Sequence, residues 1–204
     1  YYTPDFIVNY IVQQTVGPVL EEKFEQMRPK LREAERAYRE AVKREDAKKR
    51  MGVRTSDPEN VAHTYSGVVD ELFDVKVLDP AMGSGHFLVE AVDFITDRMI
   101  HFLDGFPWNP VIAQLQRTRN TILEKMEEQG ITLDATRLTD VNLLKRHVLK
   151  RCIYGVDLNP MAVELAKVSL WLDCFTLGAP LSFLDHHLKC GNSLIGVTVD
   201  EARE

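Results

Sequence analysis

Apolar residues recur at a helical period along most of this chain, and only two short runs give way to the denser pattern of a buried strand. In the opening stretch TPDFIVNYIVQQTV, the residues Phe6, Ile7, Tyr10 and Ile11 lie three and four apart, which predicts a short helix. Thr3 suits its N-cap, Pro4 its first helical residue, and Asp5 the positive end of its dipole. Gly17-Pro18 is expected to end it. From 21 to 50 the pattern changes, with 19 of 30 residues charged. Glu35–Arg39, Glu40–Arg44, Glu45–Lys49 and Asp46–Arg50 are four-apart pairs in the favourable order. A thin apolar stripe of Leu31, Ala34, Tyr38, Ala41 and Val42 predicts a long surface helix, starting near Pro29 and packed along one side. Residues 52–67, GVRTSDPENVAHTYSG, read as a loop.

The two strand-like runs are VKVL at 75–78 and CIYGV at 152–156. Between them the periodicity predicts a helix from about 85 to 103, a loop at DGFPWNP, and two further helices to about 150. Another helix follows Pro160, through MAVELAKVSLWLDCFTL. Strands alternating with helices predict an α/β domain around a mainly parallel sheet.

Composition narrows the class. A hydrophobic content of 45% supports a packed core, and 204 residues suit one domain with an appendage. No apolar run approaches the roughly 18 residues of a membrane span, and no basic segment precedes a secretory core. Cys152, Cys174 and Cys190 are spaced 22 and 16 apart, without a C-x-x-C pair. They read as reduced, buried thiols of a cytoplasmic protein, with no disulfide and no metal site. The net charge of −6 argues against a simple nucleic-acid coat. It leaves room for an enzyme that docks DNA through a local patch or another domain. Residues 21–50 carry +3 and the remainder −9, so that stretch is either a DNA-backbone or partner contact or, as preferred here, a solvated insertion. The chain starts YYTPDF without a methionine and ends TVDEARE in no finished element, so a fragment of a longer protein is expected.

Three constellations carry chemistry. In VLDPAMGSGHFLVEA (77–91) a strand ends in Asp79, and the turn Ala81–Gly85 leads into a helix. Gly83 and Gly85 remove side chains where a ligand approaches the backbone, and helix N-terminal amides then face that ligand. No G-x-x-x-x-G-K-[ST] phosphate loop occurs, and GSGHFL has Leu88 where a dinucleotide fingerprint needs its third glycine. An acid beside the turn would repel a pyrophosphate but suits the ammonium and sulfonium of S-adenosylmethionine. The second constellation, CIYGVDLNPMAVELAKVSLWL (152–172), ends a strand in Asp157, where an adenosine ribose can be held, with Leu158 available to an adenine face. Asn159-Pro160 is an N-cap and first helical residue. The two acids are 78 residues apart, against about 20 in a minimal unit, so residues from about 104 to 150 read as a helical insertion. The third is LKCGNSLIG (188–196), a turn whose Asn192 can reach an adenine edge.

Together these pieces resemble the cofactor-binding half of bacterial N6-adenine DNA methyltransferases, especially the large type II and type IIG restriction–modification enzymes and related phage-defence methylases. DPAMGSGHFL resembles the family's first motif, usually written with Cys where Met82 stands. YGVDLNPMAVELAKVSLWL resembles the second and CGNSLIG the third. YYTP resembles the N-terminal motif, whose helix helps close over the cofactor, in the order of the gamma arrangement. The resemblance covers residues 1–15, 68–100 and 150–196. It implies a three-layer, Rossmann-like fold with helical insertions and S-adenosylmethionine as cofactor. Thr3 and Pro4 would lie near the methionine end, lined also by Asp79, Ala81, Gly83 and Gly85. Asp157 would hold the ribose, Leu158 would pack on the adenine, and Asn192, where the family often has Asp, would meet its amino edge. The implied organisation is a cofactor-closing helix at 1–18, a charged helical insertion and loop at 19–67, and the cofactor-binding core at 68–204.

The family's catalytic Asn/Asp-Pro-Pro-aromatic loop, which would stack on a flipped adenine, has no counterpart in this sequence. The nearest matches, Asn109-Pro110 and Asn159-Pro160, lack the second proline and the aromatic. The expectation is therefore a chain ending before that loop, whose parent methylates double-stranded DNA while the fragment positions only the donor. An exposed final sheet edge is expected to favour self-association. Asp185-His186-His187 reads as a polar loop. Ser84 and His86 lack a hydrolase elbow, and Trp108 and Trp171 read as packing residues. The alternatives are an NAD-dependent oxidoreductase domain, a DNA-specificity or scaffold module with a degenerate pocket, and a methyltransferase acting on RNA or protein.

Overall fold

The computed structural model describes residues 3–53, 57–128, 138–174 and 181–195. They form helices α1 (Asp5–Arg50), α2 (Asp57–Thr64), α3 (Ser66–Leu72), α4 (His86–Leu103), α5 (Pro110–Glu128), α6 (Asp140–Cys152) and α7 (Pro160–Asp173). Strands β1 (Val77–Asp79), β2 (Ile153–Asp157) and β3 (Leu188–Cys190) make one sheet in the order β1-β2-β3, all parallel. The described residues divide into two compact units. One comprises those within Tyr1–Gly17, Lys76–Ile95 and Lys145–Glu204; the other comprises those within Pro18–Val75 and Thr96–Leu144.

The first unit holds the sheet. Val77 pairs with Ile153 and Asp79 with Gly155, and Asp157 pairs with Cys190. Both acids therefore stand at carboxyl ends of adjacent parallel strands, where an open α/β sheet binds its ligands. Ile153 and Leu188 are buried, and Val163, Ala166 and Leu170 form the buried face of α7. A Cβ on Gly155, at the middle of the central strand, would lie 2.3 Å from Met82 Sδ and 2.9 Å from Leu88 Cδ1. Met82, only 3% exposed, fills the space the glycine leaves. Gly155→Ala is expected to cost about 1–3 kcal/mol as overpacking. In denaturant melts, Met82→Ala in the same chain should recover part of that loss, because the two sites couple.

Between the helices of this unit, Lys145 of α6 contacts Asp93 of α4 and reaches Asp173 of α7 at 3.1 Å. Burial and the Asp93 charge hold the Asp173 carboxyl above its ordinary range, against the pull of Lys145. Burial, with Asp173 beside it, pushes the Cys174 thiol up to about 12, so it stays protonated and unreactive. Cys152 is buried too, but Cys190 is exposed, contrary to the expectation of three buried thiols.

The second unit is helical. Phe24 stacks on Phe102 at 4.3 Å and Tyr38 on Trp108 at 4.1 Å, which makes Trp108 a packing residue as expected. Asn109 is 3% exposed, and its Oδ1 caps α5 by accepting from Ile112 N–H at 2.9 Å.

Local signals misled in four places. Helix α1 runs unbroken through Gly17, Pro18 and Pro29. A proline removes one helical hydrogen bond at about 3 kcal/mol, but Val8, Val12, Val16, Leu20, Phe24, Met27, Leu31 and Ala34 are buried at three- and four-residue spacing along it, and that burial prevails. The helix begins at Asp5, one residue later than expected, with the Pro4 carbonyl accepting from Ile7 and Val8. Its buried face at this end is Val8, Val12 and Val16, while Phe6 and Tyr10 are 73% and 64% exposed. The expected loop at 52–67 contains α2 and the start of α3, which bury Ala62, Val69 and Leu72. Asp185 and His186 lie in a 3-10 helix, Leu181–His186, where Asp185 pairs with Lys167 at 2.7 Å. Among the described residues no helix is long and apolar enough to cross a membrane.

Candidate cofactor-binding site

Asp79 ends β1 and bends the chain. Its Oδ1 accepts from Ala81 N–H at 3.0 Å, an Asx turn. Met82 N–H then donates to the Val156 carbonyl at 3.0 Å, which fastens the turn to β2, and Gly85 N–H donates to the Met82 carbonyl at 2.8 Å. Gly83 and Gly85 both take positive φ, +54° and +85°. Their surroundings differ. A Cβ on Gly85 would lie 3.1 Å from Ala166 Cβ and 3.2 Å from Ala166 Cα, whereas one on Gly83 would meet nothing within 4 Å. Gly85 lets the turn press against α7, and Gly83 leaves open space in front of it.

Asp157 connects all three constellations. Its Oδ2 accepts from Gly83 N–H at 2.9 Å and its Oδ1 from Asn159 N–H at 2.8 Å. Its carbonyl accepts from Gly191 N–H at 2.9 Å, which draws the third turn to the end of β2. A carboxylate offers about four acceptor positions, so two backbone donors leave capacity for a pair of ligand hydroxyls. From the sequence Asp157 is a ligand group or, alternatively, an ordinary strand-end or capping acid; the local bond to Asn159 N–H fits the second, and the bond to the Gly83 turn was not foreseen. The available signal was an acid at the end of one strand and, after the end of the other, a glycine turn whose N–H groups need acceptors.

Asp79, Ala81, Gly83, Gly85, Asp157, Leu158 and Asn192 thus lie around the carboxyl ends of the three strands. Leu158 is 70% exposed, with its backbone carbonyl 3.6 Å from Cys190 Sγ. Asn159 caps α7, accepting from Met161 N–H at 3.0 Å. Asn192 Oδ1 accepts from Leu194 N–H at 3.0 Å and so closes its own turn, an alternative use of the oxygen expected to face an adenine. Thr3 and Pro4 precede α1, whose Asp5 Oδ1 lies 3.3 Å from His86 Nε2 at the start of α4. His86, set aside in the sequence reading, is therefore the side chain that joins the N-terminal segment to the glycine turn. An apolar groove of about 300 Å³ lies along β1 between Val12, Val16, Leu78 and Phe87; it reaches Asp79 but neither Gly83 nor Asp157.

Residues 43–175 match the sequence profile described as N-6 DNA Methylase, well over half the chain. The chain belongs to the N-6 DNA methylase family. Among curated proteins it is 28% identical over 207 residues to "Putative type II restriction enzyme and methyltransferase RM.MjaORFECS2P" of Methanocaldococcus jannaschii, covering 96% of this chain and 14% of that protein. It is 31% identical over 134 residues to "Type II restriction enzyme and methyltransferase RM.Eco57I" of Escherichia coli, covering 61% of this chain and 12% of that protein. The chain thus spans about an eighth of the length of these relatives. No solved structure matches it. Within the methylase family match lie Asp79, Ala81, Gly83, Gly85, Asp157 and Leu158; Thr3, Pro4 and Asn192 fall outside it.

Cys190 offers a chemical probe of this site. Iodoacetamide is expected to alkylate it in the native protein, while buried Cys152 and Cys174 react only on unfolding. Peptide mass mapping reads the order, and a ligand seated at Leu158 should slow the Cys190 reaction.

Proposed function

We propose that this chain is the S-adenosylmethionine-binding portion of a DNA adenine-N6 methyltransferase, with a truncated Rossmann-like core and a parent of the restriction–modification or phage-defence kind. The observation that carries the reading is the Asp157 carboxylate, which holds the Gly83 turn from the neighbouring strand and keeps acceptor positions for a ribose. The space in front of Gly83 suits a methionine moiety, and Asp79 beside it suits an ammonium. Ala81 and Gly85 shape that turn. Leu158, exposed, offers an adenine its apolar face, and Asn192 offers a polar edge nearby. Thr3 and Pro4, at the head of α1, would cover the methionine end.

When bound, S-adenosylmethionine supplies a methyl group on a positively charged sulfur. The residues of this chain orient that donor; they do not activate the acceptor amine. Both Asn-Pro pairs cap helices, Asn109 on α5 and Asn159 on α7, so neither substitutes for the catalytic loop. The reading therefore has the chain bind donor without methylating duplex DNA, while the parent, a cytoplasmic enzyme, does both. Calorimetric titration with S-adenosylmethionine tests the first half. A folded chain that takes up no donor, or that prefers NAD, would overturn it. Among the described residues β3 ends the sheet order β1-β2-β3, and the same reading pairs this final edge with a second copy. Sedimentation velocity over a concentration series checks this, and a monomer throughout would exclude it.

A further inference from the structure

Helix α1 carries a feature that cofactor binding does not use. From residue 28 to residue 50 it holds ten basic and five acidic residues. At 3.6 residues per turn, Arg28, Arg32, Arg36, Arg39 and Lys43 fall within about 80° of arc on one face. No acidic residue shares that arc between Arg28 and Lys43. Arg32, Arg36, Arg39 and Lys43 are exposed, and Arg28 is partly so. Two of the five are compensated: Arg28 pairs with Glu25 at 2.8 Å and Arg39 with Glu35 at 2.5 Å. Among the described residues Arg32, Arg36 and Lys43 make no ion pair. Beside Pro29 the stripe borders a shallow concavity of about 460 Å³, lined by Arg28, Arg32 and Arg36 with Glu25 and Glu33 on its walls.

We propose that this stripe is a contact surface for the phosphate backbone of duplex DNA, a reading that rests on the proposed DNA methyltransferase function. The fifteen helical rises from Arg28 to Lys43 make a row about 22 Å long. Duplex DNA carries one negative charge per roughly 1.7 Å of axis, so such a row faces about a dozen charges. Guanidinium groups match phosphate oxygens in fork geometry. The arc carries five cations with no acid and no aromatic among them, and a row of like charge at this spacing favours an extended polyanion over a folded partner, whose surface mixes both signs. The expected binding is independent of sequence, because backbone contacts position a protein and carry no base information.

The test is fluorescence anisotropy of the 204-residue chain with a labelled 30-base-pair duplex across a salt series from low ionic strength. Three proteins are compared: the unsubstituted 204-residue chain, R32Q/R36Q/K43Q on the stripe, and R44Q/K48Q/K49Q, which removes the same charge off the arc. The stripe variant is expected to weaken binding at least about tenfold at low salt, equally for unrelated sequences, and to reduce the slope of log K against log salt by about 3. The off-arc variant should change the slope by about 1 or less, and thermal melts should leave both variants folded. The proposal is overturned by an unsubstituted chain that binds no duplex at low salt, by equal losses in the two variants, or by polyglutamate competing as well as DNA. Titration with S-adenosylmethionine separates the two readings. Stripe-dependent DNA binding without donor binding upholds the stripe and removes the donor site. Donor binding with DNA affinity unmoved by R32Q/R36Q/K43Q removes the stripe alone.

Discussion

Replacing Asp157 with alanine is expected to weaken S-adenosylmethionine binding by about 1–3 kcal/mol, or roughly five- to 150-fold in Kd, the loss of a charged hydrogen-bonding partner. It should also lower thermal stability, because Gly83 N–H and Asn159 N–H lose the oxygens that accept them at 2.9 and 2.8 Å. A second substitution separates the two effects. Asn159→Ala removes the cap that accepts from Met161 N–H and loosens the same end of β2 without touching the carboxylate. Losing such a cap costs about 1 kcal/mol. Calorimetric Kd and melting temperature should therefore part company. Asn159→Ala is expected to lower the Tm with affinity nearly unchanged, while Asp157→Ala lowers both. If affinity simply followed Tm across the two variants, Asp157 would be a turn-holding residue only, and its role toward a ribose would fall.

How much of this was legible beforehand depended on the range of the forces involved. The strand-end acids Asp79 and Asp157, the glycine turn and the Asn159-Pro160 cap are local patterns, set by the backbone needs of a few neighbouring residues, and the sequence displays them directly. The helices at 86–103, 110–128 and 140–152 likewise announce themselves by period. What the sequence hid is tertiary. The continuity of α1 through Pro18 and Pro29 depends on a buried line from Val8 onward, not on propensity. The apolar residues that marked the first helix, Phe6 and Tyr10, face outward, because period alone does not say which of two apolar stripes meets the core. The bond from Gly83 to Asp157 spans 74 positions, and the contact of Asp5 with His86 likewise joins residues that no local window contains.

The two glycines of the turn should respond to alanine differently, Gly85 chiefly in stability and Gly83 chiefly in affinity. At Gly85 the backbone sits at φ +85°, and a Cβ would lie 3.1 and 3.2 Å from Ala166 Cβ and Cα. Ala166 is fully buried on α7 and its backbone has nowhere to retreat. Strain of about 1–2 kcal/mol for the left-handed conformation adds to an overpacking cost of about 1–3 kcal/mol. Gly85→Ala is therefore expected to destabilise the first unit by roughly 2–5 kcal/mol in denaturant melts. At Gly83, φ is +54° and a Cβ meets nothing within 4 Å, so only the conformational cost of about 1–2 kcal/mol applies. There the methyl group would project into the space assigned to the methionine end of the donor. Gly83→Ala should leave the protein folded and reduce S-adenosylmethionine affinity tenfold or more, about 1.4 kcal/mol at least. An undiminished affinity in a folded Gly83→Ala protein would mean that the open side of the turn faces solvent rather than ligand. The site would then have to be sought along the apolar groove beside β1 instead.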